Sequence, residues 1–148
     1  MKQLLKFLRL TSHEQKLLIN TFVLLGLVKL CLLLLPFQTL RKLLVTISKM
    51  QPTGVQPFSP SIDQIVEAVN RSSRYTLGGA KCLARALTTQ IVMSRHGYTS
   101  ELRIGIAKGE GGQFEAHAWV EVGEQIVIGQ LRDLTRYTPM PSFEGSRL

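Results

Sequence analysis

Apolar residues are spaced along this chain in three ways, and each spacing predicts a different element. From Leu17 to Leu35 they run almost without a break, and Pro36 closes the run. At Ile62, Ile65, Val66 and Val69, and again at Leu83, Leu87 and Ile91, they return every three or four residues, the step that lines one face of a helix. Beyond Gly97 the period drops to two. Leu102, Ile104 and Ile106 alternate with Arg103 and Gly105, and Phe114, Ala116, Ala118 and Val120 alternate with Glu115, His117, Trp119 and Glu121. These are half-buried strands, with His117 and Trp119 on the face away from the core. After a Gly123-Glu124 turn, residues 125–128 make a third strand. Helices followed by an antiparallel meander of about three strands give an α+β fold.

The polar punctuation sets the expected boundaries. Ser12, with Gln15 three residues on, reads as a helix N-cap, and Ser59-Pro60 reads as a cap before a first-turn proline. The helix through Val69 is expected to end near Asn70, leaving 71–79 as a loop. The Leu83–Ile91 helix ends at His96-Gly97, where glycine is free to turn left-handed. Leu40-Arg41-Lys42-Leu43-Leu44-Val45 is a second amphipathic piece, residues 51–57 have the turn chemistry of a linker, and the proline-punctuated tail 132–148 runs over the surface. The expected division is a basic, apolar helical region over 1–50 and an α+β domain over 57–148.

The Leu17–Leu35 run has two readings. Its nineteen residues meet the roughly 20 needed to cross a bilayer. Asn20, Thr21 and Lys29 lie inside it, and a lysine at that depth costs about 2.5–3.5 kcal/mol on insertion scales. The other reading packs these helices against the rest of the chain or a partner. A signal peptide fits badly with the late start of the run and the lack of a small-residue cleavage site after it. Charge sharpens the contrast between the two regions. Of the net +8, residues 1–56 hold eight basic groups against one acid, Glu14, while the remainder is nearly neutral. That suits an acidic peptide partner, an anionic membrane surface or a solubilising helix face. Nucleic acid is disfavoured, because no aromatic stripe or groove-reading motif accompanies the charge.

Chemistry centres on Gly78-Gly79-Ala80-Lys81-Cys82-Leu83-Ala84-Arg85-Ala86-Leu87. Cys82 falls in the first turn of a helix, where unpaired backbone N–H groups and the helix dipole stabilise negative charge. Taken alone, a free cysteine is more often a small buried residue than a nucleophile. His117 supplies the base that a nucleophile needs. His13 at a helix start and His96 at a helix C-terminus are poorer bases by position. Two cysteines, Cys31 and Cys82, form no disulfide framework, no cluster has metal-ligand spacing, and no cofactor is expected. A free reactive thiol fits a reducing cytosol.

Cysteine on a helix start with histidine on a later strand is the papain-like order. More specifically, Ala116-His117-Ala118-Trp119-Val120-Glu121 following Leu102-Arg103-Ile104-Gly105-Ile106, the segment from Cys82 to Leu87, the run Leu32–Phe37, and Arg136-Tyr137-Thr138-Pro139-Met140-Pro141 resemble the transglutaminase-like leader peptidases of lasso-peptide maturation. The resemblance covers nearly the whole chain and is to the stand-alone protease subunit, without the leader-binding domain that fused versions carry in front. It implies a papain/transglutaminase-like core, with Cys82 as nucleophile and His117 as general base and acid. It also implies a precursor peptide as substrate, a leader-binding protein that presents it, and an ATP-dependent lasso cyclase that closes the ring.

One position departs from the pattern. Relatives with a full triad carry an Asp where this chain has Gly129, and a glycine side chain cannot orient an imidazole. Gln130, Glu121 and Asp133 are the substitutes the sequence offers. Two rivals stand beside the peptidase: an acyl transferase or amidase on the same scaffold, and a non-catalytic, membrane-associated or scaffolding subunit with a structural cysteine.

Overall fold

The computed structural model describes residues 1–36, 38, 39, 42, 59–76 and 81–139. Among the described residues, helices α1 (Lys2–Leu8), α2 (Ser12–Leu34), α3 (Ile62–Tyr75) and α4 (Cys82–Arg95) come first. Strands β1 (Glu101–Lys108), β2 (Phe114–Val122) and β3 (Gln125–Ile128), a 3-10 turn at Leu134–Arg136 and a short β4 (Thr138–Pro139) follow. The α+β expectation agrees with this architecture.

Two helix starts differ from the sequence reading. Helix α2 is capped by Thr11, one residue before Ser12: the Thr11 hydroxyl accepts from the Glu14 N–H, and the Glu14 carboxylate accepts from the Thr11 N–H at 2.8 Å. A charged acceptor at a helix N-terminus outcompetes the neutral amide of Gln15. Gln15 instead donates to the carbonyls of Phe7 and Leu10, tying α1 to α2. Helix α3 is capped by Ser61 with Gln64, two residues after the expected Ser59. It also runs on to Tyr75 through residues expected to be loop. There Ser72 is buried and Tyr75 donates to Gln3 Oε1 at 2.5 Å. Local polarity suggested a break, and tertiary contact overrides it. The amphipathic piece around Leu40–Val45 and the 51–57 linker fall almost wholly outside the described residues.

Helices α2, α3 and α4 share one core, in which Leu25, Ile65, Ile91 and Met93 are fully enclosed. A second cluster of Val69, Ala86, Ala118, Val120 and Ile128 joins the helices to the sheet. The sheet is antiparallel with order β3-β2-β1-β4, and the β1/β2 register sets Gly105 opposite His117, Ile104 opposite Ala118 and Arg103 opposite Trp119. Even-numbered β2 side chains therefore face α4, and odd-numbered ones face the other way.

That other face is covered too. The chain after Gly129 crosses it, and Thr138–Pro139 pairs with Gly105 and Ile106 at the far edge. Trp119, expected on an outer face, is only 4% exposed. The described part of the tail runs over the surface as expected, most of its residues exposed, and adds a short fourth strand at the edge of the sheet.

Candidate active site

Cys82 is the first residue of α4, after Lys81 as N-cap. Helices α2 and α3 close their first turns with capping boxes, whereas no side chain caps α4, and its first turn holds no acid. Its leading N–H groups are thus not taken by a capping side chain where the Cys82 sulfur stands. Cys82 is a free, half-buried thiol at the margin of the Ala86–Ala118–Val120 cluster. Farther along α4, Ile91 to Met93 share a cluster with Val122. Helix α4 thus packs against β2, with Cys82 bordering the cluster that holds Ala118 and Val120, the first of them next to His117.

His117 is held on three sides. Its Nε2 lies 2.7 Å from the Gly129 carbonyl oxygen. The ring stacks on Trp119 at 6.2 Å between centroids with 19° between planes, and Tyr137 tilts against it at 5.7 Å. A carbonyl only accepts, so the neutral ring carries its hydrogen on Nε2 and keeps the Nδ1 lone pair free. Nδ1 is the atom left to take a proton.

Glycine is required twice around this ring. Gly129 has φ +90°, and a Cβ there meets the Ala118 oxygen and Trp119 Cβ at 2.7 Å each. Only a residue without Cβ brings its carbonyl so close to β2. A Cβ on Gly105 meets Trp119 Cζ3 and Tyr137 Cβ at 2.9 Å, so its bareness makes room for both rings that flank His117.

The three residues offered as orienting groups are occupied elsewhere. Glu121 accepts from Trp119 Nε1 at 2.8 Å and pairs with Arg103 at 3.5 Å. Asp133 pairs with Arg136 at 3.1 Å, and Gln130 donates to the Leu131 carbonyl. The reading that glycine cannot orient the ring considered only side chains, and the acceptor is the Gly129 backbone. Tyr137 and Arg136 were legible only as part of the family-like tail. Arg136 bonds Glu115 at 2.9 Å, which raises its pKa, and its guanidinium lies 5.0 Å over the Tyr137 ring.

The thiol and the imidazole are less simply related. Ala118 and Val120 face α4, so the neighbouring His117 leaves β2 on the opposite side of the sheet. Among the described residues no direct hydrogen bond joins Cys82 to His117. Strand β3 stops pairing at Val120↔Ile128, which leaves the edge of β2 beside His117 without a strand partner. His13 and His96 line a separate cavity between the start of α2 and the end of α4. His96 lies fourteen residues beyond Cys82, roughly 20 Å along the helix. Among the described residues no cluster of three His, Cys, Asp or Glu side chains converges as metal ligands do.

A family profile described as Transglutaminase-like superfamily matches residues 28–142, from within α2 to past β4. The chain belongs to the transglutaminase-like superfamily. No curated protein and no solved structure matches it. The superfamily includes cysteine proteases, acyl transferases and amidases. A transglutaminase-like domain with a cysteine opening a helix and a histidine on the packed sheet thus has the groups for thiol acyl chemistry.

Proposed function

We propose that this transglutaminase-like chain is a cysteine endopeptidase that removes the leader from a ribosomally made lasso-peptide precursor. It acts with a leader-binding protein and an ATP-dependent cyclase. The observation that carries the reading is the His117 ring, fixed through Nε2 with Nδ1 free, on the strand whose Ala118 and Val120 pack in the cluster that Cys82 borders at the start of α4. The lasso-peptide assignment itself rests on the resemblance of the Cys82–Leu87 and Ala116–Glu121 segments.

In this mechanism His117 Nδ1 takes the Cys82 proton as sulfur attacks the scissile carbonyl, and the α4 N–H groups face the developing oxyanion. The imidazolium then protonates the departing amine, leaving a thioester. Water, deprotonated at Nδ1, releases the leader acid and restores the thiol. The mechanism requires Cys82 and His117 to come within bonding reach when substrate binds, since no direct bond joins them in the free chain.

The test is mass spectrometry of a precursor incubated with this protein and its partners. One new amide cut is expected, abolished by Cys82→Ala and by His117→Ala. Retained cleavage by Cys82→Ala sinks the nucleophile assignment. An amine adduct in place of hydrolysis moves the activity to acyl transfer. The lack of a direct Cys82–His117 bond favours a second, non-catalytic reading, a scaffolding subunit, and a Cys82 that resists alkylation at neutral pH would support it.

A further inference from the structure

Helix α2 is long and apolar enough to cross a membrane, with a mean hydropathy of 2.4 over its best window, yet only 22% of that window is buried inside the protein. Thr21, Leu24, Leu25 and Val28 face α3 and α4. The opposite side presents Ile19, Val23, Leu27, Leu30 and Leu34, each more than half exposed. At about 1.5 Å per residue these five span on the order of 20 Å of helix, a contiguous apolar stripe of the kind that marks an interaction surface. Helix α1 continues the pattern. Leu4, Leu5 and Leu8 are exposed on one side, and Lys2, Lys6 and Arg9 are exposed at the complementary helical positions. Between α1, α2 and α3 lies a groove of about 490 Å³ with Phe7, Leu18 and Phe22 in its wall and Lys6, Arg71 and Arg74 beside them.

We infer that α1 and the outer face of α2 form a docking surface for an anionic lipid leaflet, with α2 lying in the plane of the membrane. Charge decides among occupants. The lone acid on these two helices, Glu14, is bonded to Thr11, so the face is apolar and cationic throughout. A second copy's α1 and α2 offer no acid besides Glu14 to meet Lys2, Lys6, Arg9 and Lys16, whereas an anionic leaflet matches both chemistries at once. Packing decides the orientation. Carrying α2 across the bilayer would strip Leu24, Leu25 and Val28 from the core, while lying flat keeps that core and covers the exposed side.

Vesicle flotation tests this without reference to cleavage. The full chain is expected to float with phosphatidylcholine–phosphatidylglycerol vesicles, to stay in solution with phosphatidylcholine alone, and to be released by alkaline carbonate. Lys2→Gln with Lys6→Gln and Arg9→Gln should weaken binding on the order of 100-fold, at roughly fivefold per charge. Val23→Gln with Leu27→Gln and Leu30→Gln should abolish it while the emission of buried Trp119 stays unchanged, which shows the fold intact. Absence from both vesicle fractions overturns the proposal, as does equal binding to both. Resistance to carbonate overturns the in-plane orientation. A discrete dimer in solution, dissociated by the α2 substitutions, assigns the face to a second copy instead.

Discussion

Replacing Gly105 by alanine is a direct test of how His117 is held. The new methyl sits 2.9 Å from both Trp119 Cζ3 and Tyr137 Cβ, against about 3.5–4.0 Å for a comfortable carbon pair. Trp119 cannot simply swing aside, because its Nε1 donates to Glu121, which in turn holds Arg103. Tyr137 is anchored by the β4 pairing next to it. Over-packing of this kind costs about 1–3 kcal/mol. With a urea slope near 2 kcal/mol/M, the unfolding midpoint should fall by roughly 0.5–1.5 M, and Tm by about 2–12 °C. The assay reads itself, since Trp119 is the single tryptophan and its emission reports both unfolding and a shifted ring. Gly26→Ala is the control. It lies in α2 with nothing within 4 Å of a new Cβ, and should stabilise by about 0.5–1 kcal/mol through helix propensity. An unchanged midpoint and emission in Gly105→Ala would refute the packing of Trp119 and Tyr137 over this position.

Nitrogen-15 NMR of His117 at high pH should show the hydrogen on Nε2, and an Nδ1–H tautomer would remove the Gly129 carbonyl as its partner. Gly129→Ala should lose that tautomer preference and destabilise by about 1–3 kcal/mol, since a non-glycine residue would be held at φ +90° against the Ala118 carbonyl. Stability should also fall in mild acid because of His96. Burial, assisted by Arg95, lowers its pKa below the ordinary 6.5, so the unfolded chain takes up the proton first as pH falls. The loss begins near pH 6.5 and ends below the folded pKa. Urea midpoints measured from about pH 8 down to about pH 5 should show it, with a smaller slope in His96→Gln.

The order of elements was legible because hydrophobic period depends on local geometry. A step of three or four residues at Leu83, Leu87 and Ile91 and a step of two from Leu102 to Val120 admit only helix and strand. Cys82 at a helix start was legible for the same reason, since Gly-Gly before an apolar period marks a boundary. Cap identities slipped by one or two residues where several polar side chains competed, and α3 outran its apolar stripe because Ser72 and Tyr75 found tertiary partners.

What the chain alone determined is therefore the inventory: helices before sheet, a thiol at one boundary, a histidine mid-strand and a cationic N-terminal region. What tertiary structure decided is contact. Neither face of β2 was free, because the tail crossed the odd-numbered one. The histidine found a backbone carbonyl instead of any of the three side chains named for it, since a carbonyl belongs to every residue and leaves no mark in sequence. Its position depended on how closely two strands approach, and that distance was set at Gly129 by the missing Cβ.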